Sequence, residues 1–487
     1  MKITNFIHSK KKAFESPHAP FWWLTAGIMA LLTLPKLMQD GMFMDAMLYT
    51  SVAHNLSQGF GSFWFPQFGA HNIADLPSFH EQPPLVFGIE SLFFMVFGSS
   101  MYVERFYTFL TMLATAGLML LLWRSIYQND HSIKKVGWLA LILWITIPVC
   151  FWTYTNNMNE NTMGVFTLLS VLFIYHSFQS KKHQIWLWIF AGVGVFLATM
   201  SKGIPGFFPI VTPLLYWTLQ HKITFKKATV ITLVISLVPL LIYLILLYFP
   251  DSKESLTNYF IKRALQRIKE VPTVNNRFYI IERLFMELLP QLLFLLLFFA
   301  LSRWKKWRPA AIYNKGEAFF FIAVGLSASA PLLLTLVQKG FYFVPALPFF
   351  GIGFGMLIAP YVTSWISKLA YSKKPLFILS LFSVVFFLTT LTITAFQVGK
   401  ASRDKVLLHD IYQIGAIVPK YTIVGVTPEI WDNWSLQCYF VRYFNISVEP
   451  NRESEYKIIY KKDAKYVMSG YKAIPLNTID YVLFQRK

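Results

Sequence analysis

Cysteine and charge are both scarce in this chain of 487 residues. Its only two cysteines, Cys150 and Cys438, exclude a disulfide scaffold or a thiolate metal cluster, and we interpret them as unrelated free thiols. Charged residues make up 14% of the chain, against roughly 25% in a soluble domain, while 55% is hydrophobic. This balance excludes an ordinary soluble enzyme, a disordered chain and a coiled coil. It predicts a polytopic membrane protein.

Long apolar runs predict the membrane-spanning helices. Such a helix needs roughly 20 residues, and eleven runs near that length lie between residues 20 and 396. The first, at 20–38, is expected to be an uncleaved span because no small-residue cleavage site follows it. The run at 83–98 is shorter and contains Glu90, which favours an interfacial or re-entrant helix. The predicted fold class is all-α, with about 11–13 transmembrane helices and an interfacial helix in the first outer loop.

The basic residues follow the positive-inside rule. With the N-terminus placed in the cytoplasm, the predicted cytoplasmic stretches hold 20 Lys and Arg, whereas residues 37–104 hold none. We therefore interpret the formal charge of +20 as a topology signal. The lipid bilayer is the expected surrounding, and no nucleic-acid partner is expected.

Three regions are expected on the outer side: a first loop at 39–82, a second large loop at 250–282 and a C-terminal unit at 397–487. The chain would thus divide into a transmembrane domain, 1–396, and a small α/β domain, 397–487. The α/β pattern rests on short strands and helices. The predicted strands lie at 421–426, 465–470 and 481–484, and the predicted helices at 403–415 and 428–444.

Carboxylates in the outer regions are the candidate acids and bases. Asp45 and Tyr49 are four residues apart, so a helix would place them on one face. A partly desolvated carboxylate beside apolar surface is suited to accept a proton, although a solvated loop acid is the alternative for Asp45. Glu81 precedes the start of the 83–98 helix, where a plain helix-start signal is the alternative. Glu160 opens a span, where interfacial capping is the alternative.

Basic residues on the outer side break the positive-inside pattern. Lys202 and Lys339 each lie in a tight turn between spans, and Arg263 and Arg267 are four residues apart in the second loop. Cations at an outer membrane face would bind a lipid phosphate, and snorkelling at the membrane surface is the alternative. Carboxylates and cations in one outer cavity would suit transfer of a group away from a phosphate.

Three histidines of the first loop raise the question of a metal. His54, His71 and His80 have suitable side chains, but their spacing matches no compact metal motif. No metal site and no cofactor are therefore predicted, with a divalent ion as the weaker alternative.

At these residues the sequence resembles the GT-C superfamily of lipid-carrier-dependent glycosyltransferases. The resemblance is nearest to bacterial aminoarabinose lipid A transferase and the protein O-mannosyltransferases, and it covers roughly residues 20–360 in matching order. Two positions depart from the pattern: Gln82 and Leu48 stand where the family has cations. The matching elements are Asp45-Ala-Met-Leu-Tyr49, Glu81-Gln-Pro-Pro-Leu85, Val103-Glu-Arg105-Phe106, Glu160 with Phe166, Ser201-Lys202-Gly203, and Lys339 with Tyr342, Pro345 and Pro348.

The resemblance implies a GT-C fold and a polyprenyl-phosphate sugar donor. It implies catalysis at the periplasmic face of a bacterial inner membrane, with a cytoplasmic N-terminus and a periplasmic C-terminal domain. The acceptor would be lipid A, an envelope glycan or a protein, and an inverting displacement is expected. Asp45 would be the base and Glu81 its partner. Acceptor or site positioning would fall to Tyr49, His80 and Glu160, and donor phosphate binding to Lys202, Arg263, Arg267, Lys339 and Tyr342.

Two other classes of function are left open by the sequence. A glycolipid flippase or transporter would carry ionisable groups near the bilayer midplane, and here they cluster towards one face. A non-catalytic envelope assembly protein would use the outer domain to bind a partner.

Overall fold

Helices carry most of the apolar runs. The computed structural model describes residues 16–69, 78–180, 183–264, 272–309, 315–463 and 470–487. Within these ranges, eight helical segments are long and apolar enough to cross a membrane. This confirms a multi-pass, all-α membrane part. The eight segments are Tyr102–Ile126, Asn159–Gln179, Gln184–Lys202, Phe225–Leu246, Tyr279–Trp304, Lys315–Leu334, Gly340–Leu369 and Lys374–Ala395.

The other three predicted crossings are not among these eight segments, and two of them are interrupted. The first is a helix of 19 residues, Ala19–Leu37. The run at 135–152 breaks before Pro148, and the run at 203–219 begins as a 3₁₀-helix, Ile204–Val211, that contains Pro205 and Pro209. Proline has no backbone N–H to donate, which explains why the helical ladder is interrupted at these points.

The α-helices are numbered in chain order. They are α1 (Ala19–Leu37), α2 (Met44–Ser57), α3 (Leu85–Phe97), α4 (Tyr102–Ile126), α5 (His131–Lys134), α6 (Trp138–Ile145), α7 (Pro148–Tyr154), α8 (Asn159–Gln179), α9 (Gln184–Lys202), α10 (Thr212–Gln220), α11 (Phe225–Leu246), α12 (Pro250–Thr257), α13 (Tyr279–Trp304), α14 (Lys315–Ser329), α15 (Leu347–Leu369), α16 (Lys373–Ala395), α17 (Lys405–Gly415), α18 (Pro428–Trp431) and α19 (Trp434–Tyr439).

Helix α3 is the short helix predicted at 83–98. It has 13 residues, too few to span a bilayer, and starts directly after Pro84. The second outer loop differs from its prediction, because 250–282 begins with α12 and a wider helical turn, Asn258–Ala264. That turn presents Arg263.

A five-stranded mixed sheet forms the core of the C-terminal unit. Its strand order is β2-β1-β3-β5-β4, with β1 parallel to β2 and β3, and β5 antiparallel to β3 and β4. The strands are β1 (Ile423–Val426), β2 (Ser447–Pro450), β3 (Tyr456–Tyr460), β4 (Tyr471–Ala473) and β5 (Tyr481–Arg486).

Part of this unit departs from the sequence prediction. The strands predicted at 421–426 and 481–484 are present as β1 and β5, and α17 matches the helix predicted at 403–415. The helix predicted at 428–444 is instead α18, α19 and a wider turn, Phe440–Phe444. The sequence missed β2, β3 and β4, and most of the strand predicted at 465–470 lies outside the described residues.

The sheet lies against one end of the helix bundle, here called the sheet end. Helices α1 and α16 both finish there, since the Gly399 N–H donates to the Met38 carbonyl at 3.3 Å. The Tyr439 hydroxyl of the C-terminal unit donates to the Met42 carbonyl at 3.1 Å. Helix α15 is buried along almost its whole length, whereas α11 and α16 leave most of their apolar surface exposed to the surroundings.

Candidate functional site

Helix α2 brings Asp45 and Tyr49 to the sheet end on one face, as the four-residue spacing predicts. Asp45 lies in the first turn and is half-buried, where the positive end of the helix favours its negative charge. The turn before it is held by Asn156, whose side-chain oxygen accepts from the Phe43 N–H at 2.8 Å.

Lys202 connects Tyr49 to a buried acid. Its ammonium lies 3.0 Å from Glu160 Oε1 and donates to the Tyr49 hydroxyl at 3.3 Å. The same ammonium is 4.9 Å from the centroid of the Tyr49 ring and 6.0 Å from that of Tyr342. Lys202 and Glu160 are both buried. The structure therefore brings together four of the predicted residues, from four separate parts of the chain.

The lysine reaches this position because α9 ends sharply after it. Gly203 has a positive φ of 81°, and a Cβ there would lie 2.0 Å from the Tyr259 hydroxyl. Glycine alone tolerates both conditions. In consequence the Tyr259 hydroxyl donates to the Lys202 carbonyl at 3.2 Å and closes the turn.

A cavity of about 180 Å³ opens beside the ammonium of Lys202. Its polar side is formed by Glu160, Lys202, Tyr259 and Tyr342. The rest of the lining is mainly apolar and comes from Met163, Ile204, Pro205, Pro331, Leu332, Leu334, Thr335 and Val337. A cavity with one cation and apolar walls suits an amphiphile with an anionic head. A larger cleft of about 740 Å³ over residues 273–282 offers no cation among its described lining residues, so it does not fit that chemistry.

Glu81 and Arg263, predicted for different roles, bind each other. The Arg263 Nη2 atom lies 2.6 Å from Glu81 Oε1 and 2.7 Å from Oε2. Both side chains are about one-third exposed. The pair joins the segment before α3 to the turn after α12, so in this structure the guanidinium faces a carboxylate.

Three other residues were predicted for the site: His80, Lys339 and Arg267. His80 Nε2 is 2.8 Å from Ser78 Oγ, and burial together with the nearby charge of Lys262 lowers the pKa of the His80 ring. Lys339 is exposed in the turn that leads to Tyr342. Arg267 lies outside the described residues.

Gln82 stands where the GT-C family has a cationic residue, and it lies beside Tyr49. Its side-chain amide donates to the Tyr49 hydroxyl at 3.3 Å. The side chain is buried, and its carbonyl oxygen has no hydrogen-bond partner among the described residues. The site therefore contains an amide where the resemblance implies a second positive charge.

No group of three or more His, Cys, Asp or Glu side chains in the described part of the chain is arranged to hold a metal. His54 is buried against the ring of Phe94, at 5.2 Å between centroids, and neither of its ring nitrogens has a hydrogen-bond partner within those residues. Its pKa is lowered to about 3 by burial first, and then by the charges of Arg442 and Lys420.

Sequence reasoning missed a buried charged network at the sheet end, here called the clasp. The clasp joins the first outer loop, the start of α4 and the C-terminal unit. Glu104 lies 2.8 Å from Arg442 and 3.3 Å from Arg105, and Arg105 lies 3.7 Å from Asp40. All four charged groups are buried. The members of the clasp are Asp40, Glu104, Arg105 and Arg442, with the hydroxyls of Tyr412, Tyr439 and Tyr443.

The polar run at 156–161 forms hydrogen bonds between helices that its sequence did not reveal. Asn157 donates to Glu90 Oε1 at 2.7 Å and to the Thr50 hydroxyl at 2.9 Å. The Thr50 hydroxyl donates to the same Glu90 oxygen at 3.0 Å. These bonds fix α2 to α3 and to the segment before α8. The only available signal was the density of asparagines beside Glu160.

Together, the helix arrangement, the apolar spans and the C-terminal sheet define a multi-pass membrane protein of the GT-C fold. The crystal structure of ArnT from Cupriavidus metallidurans bound to undecaprenyl phosphate matches with a TM-score of 0.63 at 13% identity, covering 95% of this chain and 97% of that chain. The apo structure of the same ArnT matches with a TM-score of 0.61 at 13% identity, covering 95% and 96%.

A family model and a second kind of solved structure also match this chain. A family model described as dolichyl-phosphate-mannose-protein mannosyltransferase matches residues 81–248, about a third of the chain. Archaeal oligosaccharyltransferase AglB from Archaeoglobus fulgidus matches with a TM-score of 0.45 at 14% identity, covering 91% of this chain and 70% of that chain. No curated protein matches in sequence. The resemblance to the GT-C superfamily, and to the aminoarabinose transferase and O-mannosyltransferase branches, is confirmed.

Proposed function

We propose that the chain is an integral-membrane glycosyltransferase that moves a sugar from a polyprenyl-phosphate donor to an acceptor at the sheet end. The observation that carries the proposal is the partly satisfied ammonium of Lys202. An ammonium has three hydrogen-bond donors, and the described residues supply Glu160 and Tyr49 as partners for two of them. The third donor, beside an apolar-walled cavity, fits one phosphate oxygen of a lipid carrier.

The proposal assigns stabilisation of the leaving group to Lys202 and the role of the base to Asp45. Lys202 contacts the Tyr49 hydroxyl, and Asp45 lies one turn earlier on the same face of α2. Asp45 is also close enough for its charge to act on Glu160. A sugar carbon held between the carboxylate and the ammonium would therefore have a base on one side and a phosphate-stabilising cation on the other.

The proposed reaction is one inverting displacement. The bond between the anomeric carbon and the phosphate oxygen breaks, and the electron pair leaves with polyprenyl phosphate, whose charge Lys202 stabilises. A new bond forms between the anomeric carbon and the acceptor oxygen. The acceptor proton passes to the Asp45 carboxylate. Glu81, Tyr49, His80 and Glu160 position the groups, while Arg263, Arg267, Lys339 and Tyr342 are the proposed additional contacts to the donor.

The sheet end would face the periplasm of a bacterial inner membrane, with a cytoplasmic N-terminus. The distribution of Lys and Arg supports this orientation, since the stretches that the rule places inside hold 20 of them. In this arrangement the transmembrane domain is 1–396 and the periplasmic α/β domain is 397–487. The acceptor is lipid A, an envelope glycan or a secreted protein.

A turnover assay tests the proposal. The full chain in lipid nanodiscs receives a panel of polyprenyl-phosphate sugars plus envelope lipid extract, and release of polyprenyl phosphate is measured. Wild type is expected to release it, and Asp45→Asn to be slower by at least about 100-fold. The matched control is Asp432→Asn, the same change at an exposed acid of the C-terminal unit. Equal release by wild type and Asp45→Asn would overturn the role of Asp45.

Two other outcomes would favour the alternative functions. Movement of the donor across the bilayer without release of polyprenyl phosphate would favour a glycolipid flippase or transporter. Envelope function that persists after Asp45 and Glu81 are both neutralised would favour a non-catalytic assembly protein.

A further inference from the structure

The C-terminal unit grips the segment that leads into α2. The Tyr443 hydroxyl donates to Asp40 Oδ1 at 2.7 Å, and the Tyr412 hydroxyl donates to Asp40 Oδ2 at 2.6 Å. The Asp40 backbone N–H donates to the Lys400 carbonyl at 2.8 Å. Both carboxylate oxygens of a buried acid are thus oriented by side chains from a region more than three hundred residues away in sequence.

The next residues are held as closely. The Tyr439 hydroxyl accepts from the Met42 N–H at 3.2 Å and lies 3.1 Å from the Met42 carbonyl and 2.8 Å from Asp404 Oδ2. Gly41 has a positive φ of 84°, and a Cβ there would meet the Arg403 carbonyl oxygen at 2.7 Å. Backbone from the two regions therefore touches at a position that only glycine allows.

The far end of the same outer segment is gripped by Arg442. Its guanidinium donates to Glu104 at 2.8 Å, to the Ser99 carbonyl at 3.2 Å and to the Ser100 carbonyl at 3.1 Å. Ser99 and Ser100 form the connection from α3 to α4. One unit thereby fixes both ends of the segment that contains Asp45 and Glu81.

We propose that the C-terminal unit is part of the catalytic apparatus, with Tyr439 and Tyr443 as positioning residues that set the start of α2 and so the place of Asp45. The proposal rests on the proposed function. Helix α2 begins at Met44, two residues after the carbonyl that Tyr439 holds, and Asp45 lies in its first turn. A shift at Met42 is therefore transmitted to Asp45 through three backbone links. Misplacement of about 1 Å can lower a rate by about 100-fold.

The test removes single hydroxyls and keeps the rings. Tyr443→Phe and Tyr439→Phe each lose the bonds to the first loop. Tyr456→Phe instead loses a hydroxyl that accepts from Gln485 and bonds to Glu455, both within the C-terminal unit. Hydrogen–deuterium exchange is followed at the amides of residues 47–52, and donor kcat and KM are measured. The two clasp variants should exchange faster in α2 and show kcat about tenfold lower, with KM for the donor changed less than about twofold. Tyr456→Phe should match wild type.

The outcomes separate this inference from the proposed function. Unchanged exchange and kcat in both clasp variants would overturn it, and so would an equal loss in Tyr456→Phe, which would indicate general loosening of the unit. Faster exchange in α2 with no turnover by wild type on any donor would overturn the transferase reaction and leave the clasp's grip on α2 standing. Tyr412→Phe, which loses the second hydroxyl on Asp40, serves as an independent repeat of the same test.

Discussion

The clasp and the cavity are two groups of charges at the same end of the molecule, and they differ in how completely their acidic oxygens are satisfied, although the buried Arg105 Nη2 and Arg442 Nε atoms of the clasp have no hydrogen-bond partner among the described residues. Each carboxylate oxygen of Asp40 and Glu104 accepts a hydrogen bond. At the cavity, Glu160 Oε2 is buried without a hydrogen-bond partner among the described residues. The same is true of the carbonyl oxygen of Gln82, whose amide contacts Tyr49. Satisfied buried networks stabilise a fold, whereas unsatisfied polar atoms beside a cavity indicate a place for a ligand.

The largest effect is expected from breaking the clasp. Glu104→Gln leaves the buried guanidinium of Arg442 without its carboxylate at 2.8 Å. Loss of one partner of a buried pair is expected to lower the free energy of unfolding by about 3–5 kcal/mol. Thermal unfolding in detergent measures it. Glu453→Gln, at an exposed carboxylate that pairs with Lys457, is the control and should change the midpoint little. Equal effects in the two variants would contradict the role of the clasp.

Substitutions at the cavity should weaken phosphate binding more than they lower the free energy of unfolding. The double variant Lys202→Met with Glu160→Gln removes both members of a buried pair, which is expected to cost less than about 1 kcal/mol in stability. It also removes the charged donor to phosphate, which contributes about 1.5–3 kcal/mol, or roughly 10- to 150-fold in Kd. Titration with a polyprenyl phosphate probe measures the loss. Unchanged affinity would place phosphate binding elsewhere.

The buried His54 predicts that the stability of the fold depends on pH. The folded pKa of His54 is about 3, against 6.5 for an ordinary histidine, mainly because of burial. The unfolded chain therefore takes up a proton first as pH falls below 6.5, and stability is lost from there down to about pH 3. Between pH 7.5 and 5.5 about 1.4 kcal/mol should be lost. Comparison of the pH profiles of thermal unfolding for wild type and His54→Gln isolates this contribution, and identical slopes would contradict it.

The smallest effect on stability is expected at Glu81 and Arg263. Both are about one-third exposed, so the pair should contribute less than about 1 kcal/mol, and less still at high salt. The double variant Glu81→Arg with Arg263→Glu exchanges the two charges. It shows whether the pair only holds two segments together or whether Glu81 takes part in the reaction. If the pair only joins two segments, turnover should return in the exchanged variant relative to Glu81→Arg alone. If Glu81 itself positions the acceptor, turnover should stay low in the exchanged variant.

The sequence predicted what depends on local pattern. Apolar run length and basic loops indicated the spans, and the spacing of Asp45 and Tyr49 placed both on one face of α2. The break in the positive-inside pattern singled out Lys202. Its partner in the buried pair, Glu160, is on another helix, and pairing across helices leaves no local signal.

The clasp escaped prediction for the same reason. Asp40 and Tyr443 are about four hundred positions apart, and Arg442 in a polar tail has the composition of a surface residue. Strands β2 and β4, with four and three residues, are too short to show an alternating pattern. Long-range burial therefore decided both the role of Arg442 and the order of the sheet.

The central claim, that the cavity at Lys202 holds the phosphate of a lipid carrier, can be tested by photo-crosslinking. A polyprenyl phosphate probe with a photoreactive group beside the phosphate is bound to the full chain, and the labelled peptides are mapped. Labelling is expected within 202–211 and 331–342, and it should be lost in the Lys202→Met, Glu160→Gln double variant. Labelling that instead covers the exposed apolar faces of α11 and α16, equally in both proteins, would contradict it.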